Sequence, residues 1–275
     1  MQLTKVSGKK ETYSRAKLCR SMLRADVSKH VVDKVCLAVE KEIRPGMKTQ
    51  QVYEKTMRRL AKENPAYAAK YSLRRAMMDL GPEGFLFEQY VAAILREYGW
   101  SVRTNQIMKG KCVSHEIDIV AIKGQTHFLI EVKYHNTQGI KSDVQVAMYM
   151  HARLFDIGEV QRKREKSMAK HAAWIVTNTK FTKKAIQYGA CQSVKMTGWR
   201  YPKDGSLERL IAEKGLYPIT VLPSVNTFAR DQFAAKKILF ARDVAVLSPE
   251  DLTKRFGIYL NTAKKINKEA VELVK

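Results

Sequence analysis

Asp118, Glu131 and Lys133 lie within one short stretch, IDIVAIKGQTHFLIEVK, residues 117–133. Ile117–Ile122 is a β-rich run, Lys123-Gly124-Gln125 a turn, and His127–Tyr134 the returning strand, so the stretch predicts a β-hairpin. Side chains alternate along a strand, which puts Glu131 and Lys133 on one face and Ile130 and Val132 on the other. If the two strands are neighbours, Asp118 joins that pair. Two carboxylates and an amine then converge in a way suited to holding a divalent cation and a water beside a phosphodiester. A surface hairpin carrying a solvated ion pair is the simpler alternative for so short a pattern.

A third acidic residue bears on the choice. Gly81-Pro82 breaks the chain and Glu83–Tyr98 reads as a helix ended by Gly99. Phe85, Val91, Ala92 and Leu95 form its expected inward stripe, widened by Phe87 and Ile94, and Glu88 falls inside that stripe. An unpaired carboxylate there is costly to bury. Either the helix turns it to the rim or positive charge waits for it, and a metal-centred site at the sheet edge would supply that charge.

The elements around the hairpin follow in order. Ser101–Arg103 is a short strand, 108–114 a loop, and Ser142–Asp156 a helix. After a very basic run, Gln161–His171, Ala173–Thr177 reads as a buried strand, Thr182–Tyr188 as a helix and Gln192–Met196 as a further strand. Thr177–Thr182, directly after the buried strand, is placed to line a cleft. The basic run is either a solvated face or a phosphate track. This is a layered α/β arrangement.

Composition narrows the partners. Fifty Lys and Arg stand against 27 Asp and Glu, for a net charge of +23. Such an excess favours a polyanion, because each phosphate neutralised releases counterions. A lysine-rich amphipathic helix with an aromatic face, which membrane-surface binding would need, is not seen. No apolar run approaches the roughly 20 residues of a bilayer span, and the first residues do not read as a secretory signal. The cysteines Cys19, Cys36, Cys112 and Cys191 form no CxxC pair, so a disulfide framework or zinc ribbon is not expected and buried free thiols are. Cys112 and His115 have a metal-like spacing without a second pair to complete a site. A reducing cytoplasmic location fits these features.

The segments GFLFEQYVAAILREYGWSV, HEIDIVAI, FLIEVKY, AMYMHARLFDI and WIVTNTKFTKKAIQYG, in that order, resemble the PD-(D/E)xK nuclease superfamily, in its restriction-endonuclease-like branch of Mrr-type enzymes and Holliday-junction resolvases. The resemblance implies an α/β restriction-endonuclease-like core over residues 81–222. It implies that Asp118 and Glu131 hold Mg²⁺ or Mn²⁺, with the Val132 carbonyl completing the protein ligands and Glu88 binding directly or through water. It makes Lys133 the residue that orients the attacking water, as a general base only if its pKa is depressed. Glu116 is the understudy ligand. Gln145 matches a loosely defined glutamine of Mrr-like enzymes. His135 continues on the strand face toward the substrate, with a structural role the simpler alternative, and His115 is discounted similarly.

At the other end, KVSGKKETYSRAKLCRSMLRA, KTQQVYEKTMRRL and AAKYSLRRA resemble the ATP-cone, a regulatory nucleotide-binding module, over residues 1–80. The local reading is two short strands around Ser7-Gly8 and helices at Arg15–Ala25 (capped by Ser14), Val31–Ile43, Thr49–Ala61 (capped by Thr49) and Tyr67–Leu80. The resemblance implies that Lys5 and Val6 lie along an adenine nucleotide (ATP or dATP), with Glu11 and Ser14 near the base. Lys17 would reach the phosphates, and Thr49 would offer a helix start to an anion. Val6 departs from the second basic residue that many members carry. No Walker-type loop is present, so the nucleotide would be sensed rather than hydrolysed.

Residues 223–275, with KKILFARDVAVLSPEDLTKRFGIYLNTAKKINKEA, resemble a small all-α helix-hairpin-helix module. That resemblance implies a DNA-backbone contact at Gly257, Lys264 and Lys265. The expected whole is a DNA endonuclease modulated by adenine nucleotide, with homo-oligomer formation allowed. A nucleotide-responsive DNA-binding regulator with an inert nuclease fold is the alternative, and RNA direction a second one.

Overall fold

The computed structural model describes residues 1–275 apart from 6, 82–83, 138 and 165–169. Val6, Pro82 and Glu83, and the middle of the basic run, therefore lie outside the described residues. The chain divides into two compact units: Met1–Leu73 with Ile219–Lys275, and Arg74–Pro218.

The first unit begins with a small antiparallel pair, β1 (Gln2–Thr4) and β2 (Lys10–Thr12), followed by α1 (Arg15–Leu23), α2 (Lys29–Glu40), α3 (Thr49–Glu63) and α4 (Pro65–Ala76). The α4 helix crosses into the second unit near its end. Ser14 caps α1 as expected, its hydroxyl accepting the Lys17 N–H at 3.3 Å. Thr49 is instead the first helical residue of α3. The chain turns in one position earlier, at Lys48, whose N–H donates to Gln51 Oε1 at 2.9 Å. Leu3, Leu18, Met22, Val32, Val35, Val39 and Leu60 make the core of this segment.

The cysteine expectation is overturned here. Cys19 on α1 and Cys36 on α2 form a disulfide with Cα atoms 6.0 Å apart, while Cys112 and Cys191 are exposed free thiols. The helix pair brings together two thiols that their sequence spacing of 17 does not advertise.

The second unit carries α5 (Phe85–Glu97), β3 (Ser101–Lys109), β4 (Ser114–Lys123), β5 (Thr126–Lys133), β6 (Lys141–Ser142), α6 (Val144–Arg164), β7 (Lys170–Thr177), β8 (Lys180–Phe181), α7 (Lys183–Cys191), β9 (Lys195–Thr197) and α8 (Leu207–Glu213). The main sheet has the order β3-β4-β5-β7-β9. The β3, β4 and β5 strands are antiparallel neighbours, and β7 runs parallel to both β5 and β9. The expected short strand at 101–103 is thus nine residues long and takes the first two residues of the predicted loop. Both of its faces mix polar and apolar residues, with Ile107 on the exposed one, so no clean alternation marks its length in the sequence.

The α5 helix buries Phe87, Tyr90, Val91, Ala92, Ile94 and Leu95, each large side chain contributing about 1.5–3 kcal/mol. Phe85 does not belong to that stripe: it is 53 % exposed at the helix's first turn. The buried face begins two residues later, at Phe87. Tyr90 seals the inner end by donating to the Leu216 carbonyl at 2.5 Å.

A 3-10 turn at Ile219–Val221 leads into α9 (Thr227–Ala235), α10 (Ala241–Ala245), α11 (Pro249–Phe256) and α12 (Leu260–Val274). Ser248 and Asp251 make a reciprocal capping box ahead of α11, with Pro249 inside its first turn. Gly257 ends that helix with φ +67°, a conformation that an L side chain rarely adopts. No helix among the described residues is long and apolar enough to cross a membrane.

Candidate functional site

The site forms where β4 and β5 meet α5 and α6. Ile119 pairs with Ile130 across the β4–β5 ladder, and continuing that register one step sets Asp118 opposite Glu131. Asp118 Oδ2 accepts the Val132 N–H at 2.7 Å, which fixes the carboxylate against the next strand. On the other side, the β3–β4 ladder skips Asn105, the residue that would face Asp118. Its φ of +52° marks a local kink beside the carboxylate.

Glu131 is the most enclosed of the group, with 4 % of its surface exposed. Its two oxygens are both engaged. Lys133 Nζ lies 2.6 Å from Oε1 and Arg153 donates to Oε2 at 2.5 Å. The Glu131–Lys133 side of the expected constellation is therefore assembled. Arg153, which comes from the middle of α6, was not anticipated.

Glu88 on α5 and Asp118 share an electrostatic signature. Burial raises the Glu88 pKa and makes this carboxyl a weaker acid than usual, and Asp118, Glu116 and Glu131 add repulsion, only partly offset by Lys133. Burial also pushes Asp118 up to about 6, with repulsion from Glu131 next, against the Val132 N–H, Lys133 and Arg153. Carboxylates crowded enough to resist ionisation are a donor set suited to a hard divalent cation, which takes oxygen ligands. Among the described residues, however, no three acidic, imidazole or thiol groups converge closely enough to hold a metal as placed. Glu131 faces its two cations instead. The residue types fit a divalent cation.

Beyond β5, a buried polar network holds the outgoing chain. Asn178 accepts the His135 N–H at 3.0 Å and donates to the His135 carbonyl at 2.8 Å. Thr177, Ser142 and Thr179 link hydroxyls at 3.2–3.3 Å. His135 places Nε2 3.2 Å from Ser142 Oγ, and burial, then Lys133, lowers its basicity. His135 is thus a half-buried anchor beside the site, and Asn178 and Thr177 give the expected cleft lining a positioning role. Gln145, near the start of α6, is exposed and uses its N–H on Asp143.

The α6 helix is fixed to the sheet by Asp156. Its carboxylate accepts from the Cys112 N–H at 2.8 Å and the Val113 N–H at 3.3 Å, and contacts His115 Nε2 at 2.8 Å. The His115 contact, then these amides, hold Asp156 well below the usual carboxylate range. A Cβ on Gly110 would sit 2.0 Å from Asp156 Oδ2, so the loop between β3 and β4 needs glycine there. Cys112 and His115 are drawn into this staple.

In the cone segment, Glu11 gathers the expected phosphate ligands. Lys5 Nζ lies 2.5 Å from one of its oxygens and Lys17 Nζ 3.4 Å from the other. The Lys5 hydrogen bond is the largest cause of a Glu11 acidity stronger than usual. Ser14 caps the helix on which Lys17 sits.

In the C-terminal segment, the Gly257 N–H is taken by the Thr253 carbonyl at 3.0 Å, so this amide is committed to the helix cap rather than to a phosphate. Lys264 and Lys265 are exposed on α12. Lys265 lines a groove of about 340 Å³ together with Ala61, Pro65 and Ala69 of the cone helices and Glu269 of its own helix.

Comparison with known proteins matches these segments one by one. Residues 1–79 match the ATP cone domain, 83–185 the nuclease-related domain, and 217–274 the AF1548-like C-terminal domain. An uncharacterized protein of Archaeoglobus fulgidus is 35 % identical over 187 residues, which is 67 % of this chain and 99 % of the relative. The chain belongs to the AF1548-like family. The crystal structure of a protein of unknown function, AF1548, is 34 % identical and covers 70 % of this chain and 98 % of its own, with a TM-score of 0.58. For this AF1548-like chain the mixed α/β core is therefore nuclease-related, and an ATP-cone segment accompanies it.

Proposed function

We propose that this protein is a metal-dependent DNA endonuclease of the PD-(D/E)xK type, modulated by ATP or dATP at the cone. The observation that carries the reading is the convergence of Asp118, Glu131 and Lys133 on one sheet face, with the Glu88 pKa raised by burial and then by repulsion from the neighbouring carboxylates. Asp118 and Glu131 would hold Mg²⁺ or Mn²⁺, with Glu88 and Glu116 completing the negative wall. When bound, such an ion neutralises charge at the phosphorus and provides a water acidic enough to act near neutral pH. Lys133, 39 % exposed beside Glu131, faces solvent and is placed to orient that water and to meet developing negative charge. Asn178 and Ser142 keep the strand from drifting as it leaves Lys133. The +23 charge supplies a field that draws a polyanion, and Lys264 and Lys265 would add contacts to its backbone. At the cone, Lys5, Val6, Glu11, Ser14, Lys17 and Thr49 would surround the nucleotide.

A second reading, a nucleotide-responsive DNA-binding regulator with an inert core, has one observation in its favour: both Glu131 oxygens already carry cations. Plasmid and branched DNA incubated with Mg²⁺ or Mn²⁺ separate the two. The nuclease reading expects metal-dependent cutting by wild type and a loss on the order of a thousandfold in Asp118→Ala. Retained band shifts with no cutting by wild type select the regulator.

A further inference from the structure

Arg153 comes from α6 rather than from the hairpin, and its environment differs from that of a permanent structural ion pair. Its side chain is only 13 % exposed, yet Nε is buried with no hydrogen-bond partner. The guanidinium lies 4.2 Å from the Tyr149 ring and donates to the Tyr149 hydroxyl at 3.0 Å. Tyr149, four residues earlier on the same helix face, is itself 54 % exposed. Arg153 therefore bridges the most buried carboxylate of the site and an aromatic ring open to solvent. A planar guanidinium fork fits a carboxylate or a phosphate equally well, and its unpartnered N–H is a donor still to be satisfied.

Charge and geometry make the present state exclusive. Glu131 Oε1 is held by Lys133 and Oε2 by Arg153, so a divalent ion approaching either oxygen meets a cation already there. An ion arriving at Glu131 while Arg153 stays would be repelled at contact distance in a poorly solvated site. A phosphodiester brings the negative charge that lets the guanidinium leave.

We propose that Arg153 is an exchangeable counter-cation: it occupies Glu131 in the ligand-free protein, moves to a phosphate of bound DNA, and so yields Glu131 to the metal. Metal and DNA then bind with positive coupling through one residue. The inference rests on the reading of Asp118 and Glu131 as metal ligands.

The test measures binding, not turnover. Mn²⁺ affinity of the full chain is followed by electron paramagnetic resonance with and without a phosphorothioate duplex that resists cleavage. For wild type, DNA is expected to tighten Mn²⁺ binding by up to about a hundredfold, and Mn²⁺ to tighten DNA binding by the same factor. Arg153→Gln is expected to bind Mn²⁺ about tenfold tighter without DNA and to keep a coupling below about tenfold. Arg153→Lys, which retains the charge, should stay within about threefold of wild type without DNA.

The exchange is overturned if wild type shows no coupling, a result that needs no variant to fold. It is equally overturned if Arg153→Gln binds Mn²⁺ no tighter than wild type or keeps its full coupling. Failure of the underlying reading looks different. Asp118→Asn would then bind Mn²⁺ as wild type does, or neither DNA-bound wild type nor Arg153→Gln would bind Mn²⁺, and the exchange falls with it.

Discussion

Glu11 in the cone segment and Asp118 on the sheet are both carboxylates with lysines nearby, yet their acidities are driven in opposite directions. Glu11 lies near the surface between Lys5 and Lys17, and their hydrogen bonds lower its pKa. Asp118 is enclosed with Glu131 and Glu88, and burial with repulsion raises it to about 6. The first cluster holds surplus positive charge, Lys5 and Lys17, around one anion. The second holds surplus carboxylate, Asp118, Glu131 and Glu88, around Lys133 and Arg153. Local charge surplus, rather than residue type, separates the two sites.

The sharpest way to break this comparison is through stability. A carboxylate whose folded pKa lies above its unfolded value opposes folding once it ionises. The penalty appears as pH rises past about 4 and is complete above about 6. Asp118→Asn keeps an acceptor for the Val132 N–H and removes that penalty. The metal-free variant is expected to be about 2 kcal/mol more stable than wild type at pH 7.5 and nearly equal at pH 4. Urea unfolding followed by the fluorescence of Trp100 and Trp174 checks this, and a variant less stable at pH 7.5 would contradict the crowding.

A smaller effect is expected in the cone. Lys17→Gln removes one of the two cations gathered by Glu11 and should weaken ATP binding by about tenfold at low salt, the size of one charge-assisted hydrogen bond. Calorimetry with ATP measures it, and unchanged affinity would remove the phosphate role of Lys17.

The smallest effect is the stability contribution of Glu11 itself. Its folded pKa is lowered, so its contribution is present above the unfolded value and is lost as pH falls through the folded one, the reverse of Asp118. Exposed pairs are worth little, and Glu11→Gln is expected to cost only a few tenths of a kcal/mol at pH 7 and less at pH 3. Thermal unfolding at the two pH values tests the sign.

What was legible in the sequence was local. Alternation in residues 117–133 put Asp118, Glu131 and Lys133 on the right strands, and the stripe around Glu88 flagged a carboxylate in need of explanation. Arg153 was not legible, because its meeting with Glu131 depends on how α6 packs on the sheet, 22 residues further along the chain. The Cys19–Cys36 bond was missed for a related reason: two helices with no characteristic cysteine spacing bring the thiols together. Phe85 and Thr49 were misplaced by the smallest margins, each at a helix's first turn, where a shift of one or two residues changes a buried or capping position into a surface one.

The Asp156 staple has a consequence for the phase of α6. Arg153 and Asp156 are three residues apart on a continuous helix, so both lie on neighbouring faces and are locked at once, one to Glu131 and the other to the loop at Gly110–Val113. One residue inserted between them would rotate Arg153 by about 100° relative to the staple. The helix thus works like a dial with a fixed index mark. The three-residue interval between the two contacts is therefore fixed.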